Sequence, residues 1–186
     1  VTVTPSEVLA FWFDGDRSAR RAIWFEQNDA FDTACGRFTA AVRAARSGAL
    51  DAWAEEPEGA LALIILLDQF SRNLFREEAE AFAGDTRALA LARDVIRRGW
   101  DQSMTACERM FVYLPFEHSE NLDDQDESVR LFEGLAQGPD DDTAGYARKH
   151  RDAIRMFGRF PRRNAALGRA STVAEQEYLA QPSPGF

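Results

Sequence analysis

Apolar side chains recur in this chain at intervals of three and four residues almost from end to end, and no stretch alternates with the two-residue period of a half-buried strand. That spacing confines the fold to helices packed on helices. The clearest stripe is Phe31, Ala34, Cys35, Phe38, Ala41, Val42 and Ala45, one face of an amphipathic helix that Gly48 can end in a left-handed conformation. Thr4-Pro5-Ser6-Glu7 reads as a capping box with proline in the first turn, starting a helix that carries Val8, Leu9, Phe11 and Trp12. The segment from Pro57 to about Phe75 begins nearly all apolar and turns polar at its end, as a helix wrapped by neighbours would.

Further helices follow from the same spacing. One should be capped by Asp85 and reach Gly99, and another should cover about Thr105 to Leu114, with Pro115 interrupting it. Residues 120–136 and 142–157 form two more, separated by Gly138-Pro139, and Thr172-Val173-Ala174-Glu175 supplies a capping box for a last one. The expectation is an all-α chain of about eight helices, an array of helical hairpins or a bundle. Its 186 residues fit one domain, 1–186, with a tail at about 181–186 that should fray.

With 22 basic and 31 acidic residues the net charge is −9, which opposes general attraction to nucleic acid or to an anionic membrane. The longest apolar run, Ala60 to Leu67, is far shorter than a bilayer span, and the N-terminal residues carry no basic, apolar leader. Cys35 and Cys107 form neither a C-x-x-C pair nor a disulfide framework. These features together suggest a cytoplasmic protein.

Three polar clusters carry chemistry. In LDQFSRN (67–73), Asp68 and Arg72 are helical i,i+4 neighbours, as are Gln69 and Asn73; the cluster reads either as an ion pair at the solvent end of a buried helix or as the floor of a pocket. In LPFEHSENLDDQ (114–125), His118, one of only two histidines, stands between Glu117 and Glu120. These residues could form an acid–base site, hold a ligand, or make a helix start capped by Ser119 whose acids complement the helix dipole. In the third cluster, residues 146–169 carry a net charge of +7 against −9 for residues 115–142, so the two segments suggest packing by ion pairs. Arg159, Arg162, Arg163 and Asn164 follow the breakers Gly158 and Pro161 and could instead grip a phosphate or carboxylate.

A metal site is not expected, because Glu117 and His118 are adjacent and cannot face one point from a regular helix, and no second Glu/His motif exists. No cofactor is called for. A hydrolytic site would pair His118 with Glu117, Glu120 or Asp68 and use water as nucleophile, since no G-x-S-x-G or reactive-cysteine setting is present.

LDQFSRNLFR, LPFEHSENLDDQ and FGRFPRRNAALGR, with AFWF near the start, resemble the bacterial domain-of-unknown-function 924 family over about Pro5 to Leu179. The resemblance implies an all-helical fold similar to tetratricopeptide-type repeats, and no assigned reaction. Where that family's pattern has RFPHRN and HSEDL, this chain has Arg162 and Asn121. If the three motifs meet, Asp68, Arg72 and Asn73, then Glu117, His118 and Glu120, then Arg159, Arg163 and Asn164 line one mixed-charge cavity. The leading expectation is then binding of a small anionic or zwitterionic ligand or a peptide end. The alternatives are a hydrolase-type enzyme using His118 and a protein-interaction scaffold. Whether His150 faces that cavity stays open.

Overall fold

The capping box at Thr4 forms, its hydroxyl accepting from the Glu7 N–H at 3.3 Å while the Glu7 carboxylate accepts from the Thr4 N–H at 2.8 Å, and α1 (Pro5–Phe13) follows. The computed structural model describes residues 3–135 and 142–181, so the expected Gly138-Pro139 break and nearly all of the tail lie outside the described residues. Among the described residues there is no strand, and the chain is an all-α array. Of these residues, those before Glu77 together with Glu80–Pro115 form one compact unit, and Glu77–Ala79 with those from Phe116 onward form the other. No helix among them is long and apolar enough to cross a membrane.

In the first unit the stripe from Phe31 to Ala45 is divided between two helices. α2 (Asp29–Cys35) passes through a 3-10 turn at Gly36–Phe38 into α3 (Thr39–Ser47), where Gly48 stops it at φ 85°. Gly36 weakens helical preference at that point, and the Thr39 hydroxyl bonds the Gly36 carbonyl at 2.7 Å, tightening the turn. The apolar centre of the chain is α4 (Pro57–Ile65), which widens through a π turn at Leu66–Phe70 into α5 (Ser71–Leu74). Every residue from Gly59 to Ser71 is buried. The Ser71 hydroxyl donates to the Leu66 carbonyl five residues back at 3.3 Å, satisfying an acceptor in the wide turn.

Around that centre the Trp12 ring lies 5.0 Å from Phe70, 5.4 Å from Phe111 and 5.7 Å from Phe31. Each such fully buried ring contributes about 1.5–3 kcal/mol by area, with about 0.5–1.5 kcal/mol more per ring pair. α6 (Asp85–Arg97) packs on α4, and a Cβ at Gly84 would meet the Leu67 carbonyl oxygen at 2.4 Å, so only glycine fits there. Asp85 is not the cap expected of it: Gly84 occupies that position, and the Asp85 carboxylate takes a bidentate bond from Arg72 instead. A charge-assisted pair of two bonds outcompetes a single capping bond.

α7 (Ala106–Glu117) corrects a second expectation, because Pro115 lies inside it. A proline in a helix costs about 3 kcal/mol. Val112, Tyr113, Leu114 and Phe116 are all buried along the same segment, and about 1.5–3 kcal/mol each more than offsets that penalty.

The second unit holds α8 (Leu122–Glu133), α9 (Thr143–Phe157), a 3-10 turn at Pro161–Arg163 and α10 (Val173–Leu179). Asn121 caps α8, its side-chain oxygen accepting from the Asp123 and Asp124 N–H groups at 2.8 and 3.4 Å, and Ser119 instead donates to Asp124 at 2.7 Å. Asn121 does there what an aspartate would do. α8 and α9 pack against each other, and Gly158, at φ 69°, ends α9. As the charge pattern suggested, Arg148 reaches Glu133 at 2.9 Å, and Arg151 and Arg155 reach Asp126 at 3.5 and 3.2 Å. The capping box at Thr172 starts α10.

Candidate functional site

The three polar clusters differ in the partners that hold them. Asp68, Arg72 and Asn73 sit at the π turn and α5 of the first unit, each paired within that unit. Arg72 lies 3.0 Å from the Asp68 carboxylate and donates to both oxygens of Asp85 at 2.9 and 3.0 Å. Burial disfavours the Arg72 charge, but Asp68 and Asp85 outweigh that and hold its guanidinium above its ordinary pKa. Asn73 donates to Asp32 at 2.6 Å, not to Gln69, which bonds Asp68 at 2.6 Å. The cluster thus contains the i,i+4 ion pair read from the spacing, enlarged by partners 13 and 41 residues away.

The second cluster is built by the end of α7. The Gln125 amide, fully buried on α8, donates to the carbonyls of Glu117 and Ser119 at 2.7 Å each and of Phe116 at 3.4 Å. The Glu117 carbonyl is an acceptor that the helix terminus leaves without an intrahelical partner, so Gln125 holds the chain end of α7 in place. Glu117 is the last helical residue and His118 the first outside it. The regular-helix argument against both facing one point therefore does not apply. They do converge, and His150 joins them from α9: donor atoms of Glu117, His118 and His150 all lie within 4.8 Å of one another.

Glu117 is 5 % and His150 6 % exposed, with His118 half-buried. His150 Nδ1 lies 3.2 Å from Glu117 Oε1 and 2.9 Å from the Tyr146 carbonyl oxygen. Both neighbours are acceptors, so Nδ1 carries a proton. The rings of His118 and His150 are 6.2 Å apart, and Phe160 stands edge-on to His150 at 5.6 Å. His150 was the residue left undecided by sequence; its position on the buried stripe Ala144, Ala147, His150, Ala153 and Ile154 is the signal that points it inward.

The third cluster closes over the turn that follows α7. Arg163 donates to the His118 carbonyl at 2.9 Å, with its guanidinium 4.5 Å from the centre of the Phe160 ring. Glu120 accepts from the Phe160 N–H at 2.8 Å and from Arg169 at 2.7 and 3.0 Å. Burial pushes the Glu120 carboxyl up, but these bonds and the charges of Arg169 and Arg163 outweigh it and hold it below the ordinary carboxylate range. Arg159 is engaged elsewhere, donating to Glu175 at 2.6 and 2.8 Å and to the Ala170 carbonyl at 2.9 Å. These two residues also line a groove of about 760 Å³ with Met156, Phe157 and Tyr178. Asn164 is buried and donates to Ser171 at 3.0 Å.

The second and third motifs therefore meet in the second unit, joined through Arg169 on Glu120; the sequence marks Arg169 and Glu175 only as a motif end and a capping residue, not as partners of the site. Neither thiol fits a nucleophile's role. Burial, with Asp32 adding to it, pushes Cys35 up to about 12, and burial likewise raises Cys107.

A search of curated proteins found no match. A solved structure of a protein of unknown function from Agrobacterium tumefaciens is similar to this chain, with 39% sequence identity and a TM-score of 0.85, covering 95% of this chain and 96% of that one. A family model described as "Bacterial protein of unknown function (DUF924)" matches residues 8–183. With the match running through all three motifs and nearly the full length, the chain belongs to that bacterial family of unknown function.

Proposed function

We propose that the chain binds a small zwitterionic or anionic ligand at the Glu117–His118–His150 cluster of its second unit. The observation that carries this reading is the convergence of both of the chain's histidines and a buried carboxylate within 4.8 Å, from segments more than 30 residues apart. Burying ionisable groups costs several kcal/mol unless they are paired, solvated or occupied. Imidazole N–H groups and the nearby Arg163 suit a carboxylate or phosphate, and Glu117 suits an amine. Arg159 and Glu120, placed in the pocket by the sequence reading, satisfy Glu175 and Arg169 respectively, so in this reading they hold the loop and leave recognition to the cluster. A hydrolase-type reading with His118 loses Glu120 as orienting carboxylate for the same reason, and with Asp68 engaged by Arg72 and Gln69 it rests on Glu117.

The test is a thermal-shift screen of amino acids, dipeptides and phosphorylated small molecules in chelator-containing buffer, on the wild type and His118→Ala. A ligand at about 100 times its Kd adds about 2.7 kcal/mol, a rise in Tm of several degrees for a chain of this length. The rise should vanish in His118→Ala while the Tm of the free protein stays within about 2 °C. A panel that leaves Tm unmoved, or shifts both proteins alike, removes the reading. His118-dependent turnover of p-nitrophenyl acetate would favour the hydrolytic alternative over simple binding.

A further inference from the structure

We propose that Glu117, His118 and His150 are the protein ligands of a divalent transition-metal ion of the zinc class. This rests on the reading of the cluster as the site, but not on any organic ligand. Two imidazoles and one carboxylate are a donor set that such ions prefer, and three protein ligands leave a coordination position for water or a ligand's carboxylate. Ligands at about 2.0–2.2 Å from a tetrahedral ion stand about 3.4 Å apart. One donor atom from each of Glu117, His118 and His150 lies within 4.8 Å of the other two, so small side-chain movements bring the set to the spacing an ion requires.

The backbone supports this choice. α7 ends between Glu117 and His118, so the two side chains are free of helical register, while Gln125 fixes the carbonyls on either side of His118. His150 is held from behind, because the Tyr146 carbonyl at 2.9 Å can by itself satisfy the Nδ1 proton. With Nδ1 bonded to that carbonyl, the neutral ring would present Nε2 to an ion, the outer-shell pattern found around metal-bound histidines. Arg163 on the His118 carbonyl restrains the same turn from the other side. The ion would also give the proposed zwitterion or anion a direct anchor at the open position.

Isothermal titration of chelator-stripped protein with Zn²⁺, and visible absorption after loading Co²⁺, test the assignment. One equivalent of zinc should bind to the wild type and to Glu175→Gln, a control that keeps the cluster. Affinity should fall by more than about tenfold in His118→Ala and Glu117→Gln. Since those variants could act through the fold, His118→Cys supplies the decisive arm: it exchanges one zinc donor for another, retains binding and adds a cobalt–thiolate charge-transfer absorption. No stoichiometric zinc binding, binding that survives His118→Ala, or a His118→Cys spectrum without the thiolate absorption overturns the proposal. The chelator-containing ligand screen is independent, so a ligand that binds without metal would leave the binding reading standing while this inference failed.

Discussion

At the scale of single residues, the pair Arg159–Glu175 shows how one carboxylate can serve two structures. Glu175 completes the capping box of α10 through the Thr172 N–H at 2.7 Å and accepts two bonds from Arg159. The Arg159 bonds first, and the Thr172 N–H second, lower its carboxyl from the ordinary 4.5 to about 2. Between those values the unfolded chain binds more protons than the folded one at this site, so stability rises with pH there. The contribution is fully present above about pH 4.5 and is lost as pH falls through about 2. Acid titration of folding, followed by far-UV circular dichroism, should therefore have a shallower slope between pH 4.5 and 2 in Glu175→Gln than in the wild type. Identical slopes would mean that the bond seen here does not persist in solution.

At the scale of elements, the informative feature is where α7 stops. Pro115, the expected stop, is carried two residues into the last turn, and the real terminus is set by a side chain on the next helix, Gln125. Local propensity pointed to an end near the right place, because proline does disfavour helix around it. It could not supply the partner that ends the helix, since that contact spans eight residues and depends on α8 being in position. Gln125→Ala leaves the Glu117 and Ser119 carbonyls without these bonds. Urea denaturation should register a loss of about 1–3 kcal/mol. Zinc affinity should fall with it, because the turn that carries His118 loses its anchor. A similar division explains α2 and α3, whose shared stripe was readable although the 3-10 turn at Gly36–Phe38 was not, since one short turn of changed winding hardly disturbs a three-to-four spacing.

At the scale of the whole molecule, the two units separate the polar motifs by their partners. The Asp68–Arg72–Asp85 network sits beside the most deeply buried helix of the first unit, and its members are satisfied there. Arg72→Lys keeps the charge but loses the fork that meets both Asp85 oxygens, at a cost of about 1–3 kcal/mol in stability. Ligand and zinc affinity should be unchanged in that variant. A change of more than about tenfold, roughly 1.4 kcal/mol, would instead show that all three motifs act at one site. Within the arginine-rich segment 146–169, Arg148, Arg151, Arg155, Arg159 and Arg169 are paired with Glu133, Asp126, Glu175 and Glu120 of the same unit.

Helix class, most helix positions, both capping boxes and the mutual attraction of segments 115–142 and 146–169 were legible in the amino-acid order alone. Each of these depends on residues within four positions of one another or on summed charge, and neither needs to know the path of the chain. The pairings that make the candidate site were not legible: His150 with Glu117, Arg169 with Glu120 and Arg159 with Glu175 span 33, 49 and 16 residues. Many arginines and carboxylates are chemically equivalent in a string of letters. Only packing, by burying some of them and bringing particular helix ends to particular loops, selects which ones meet.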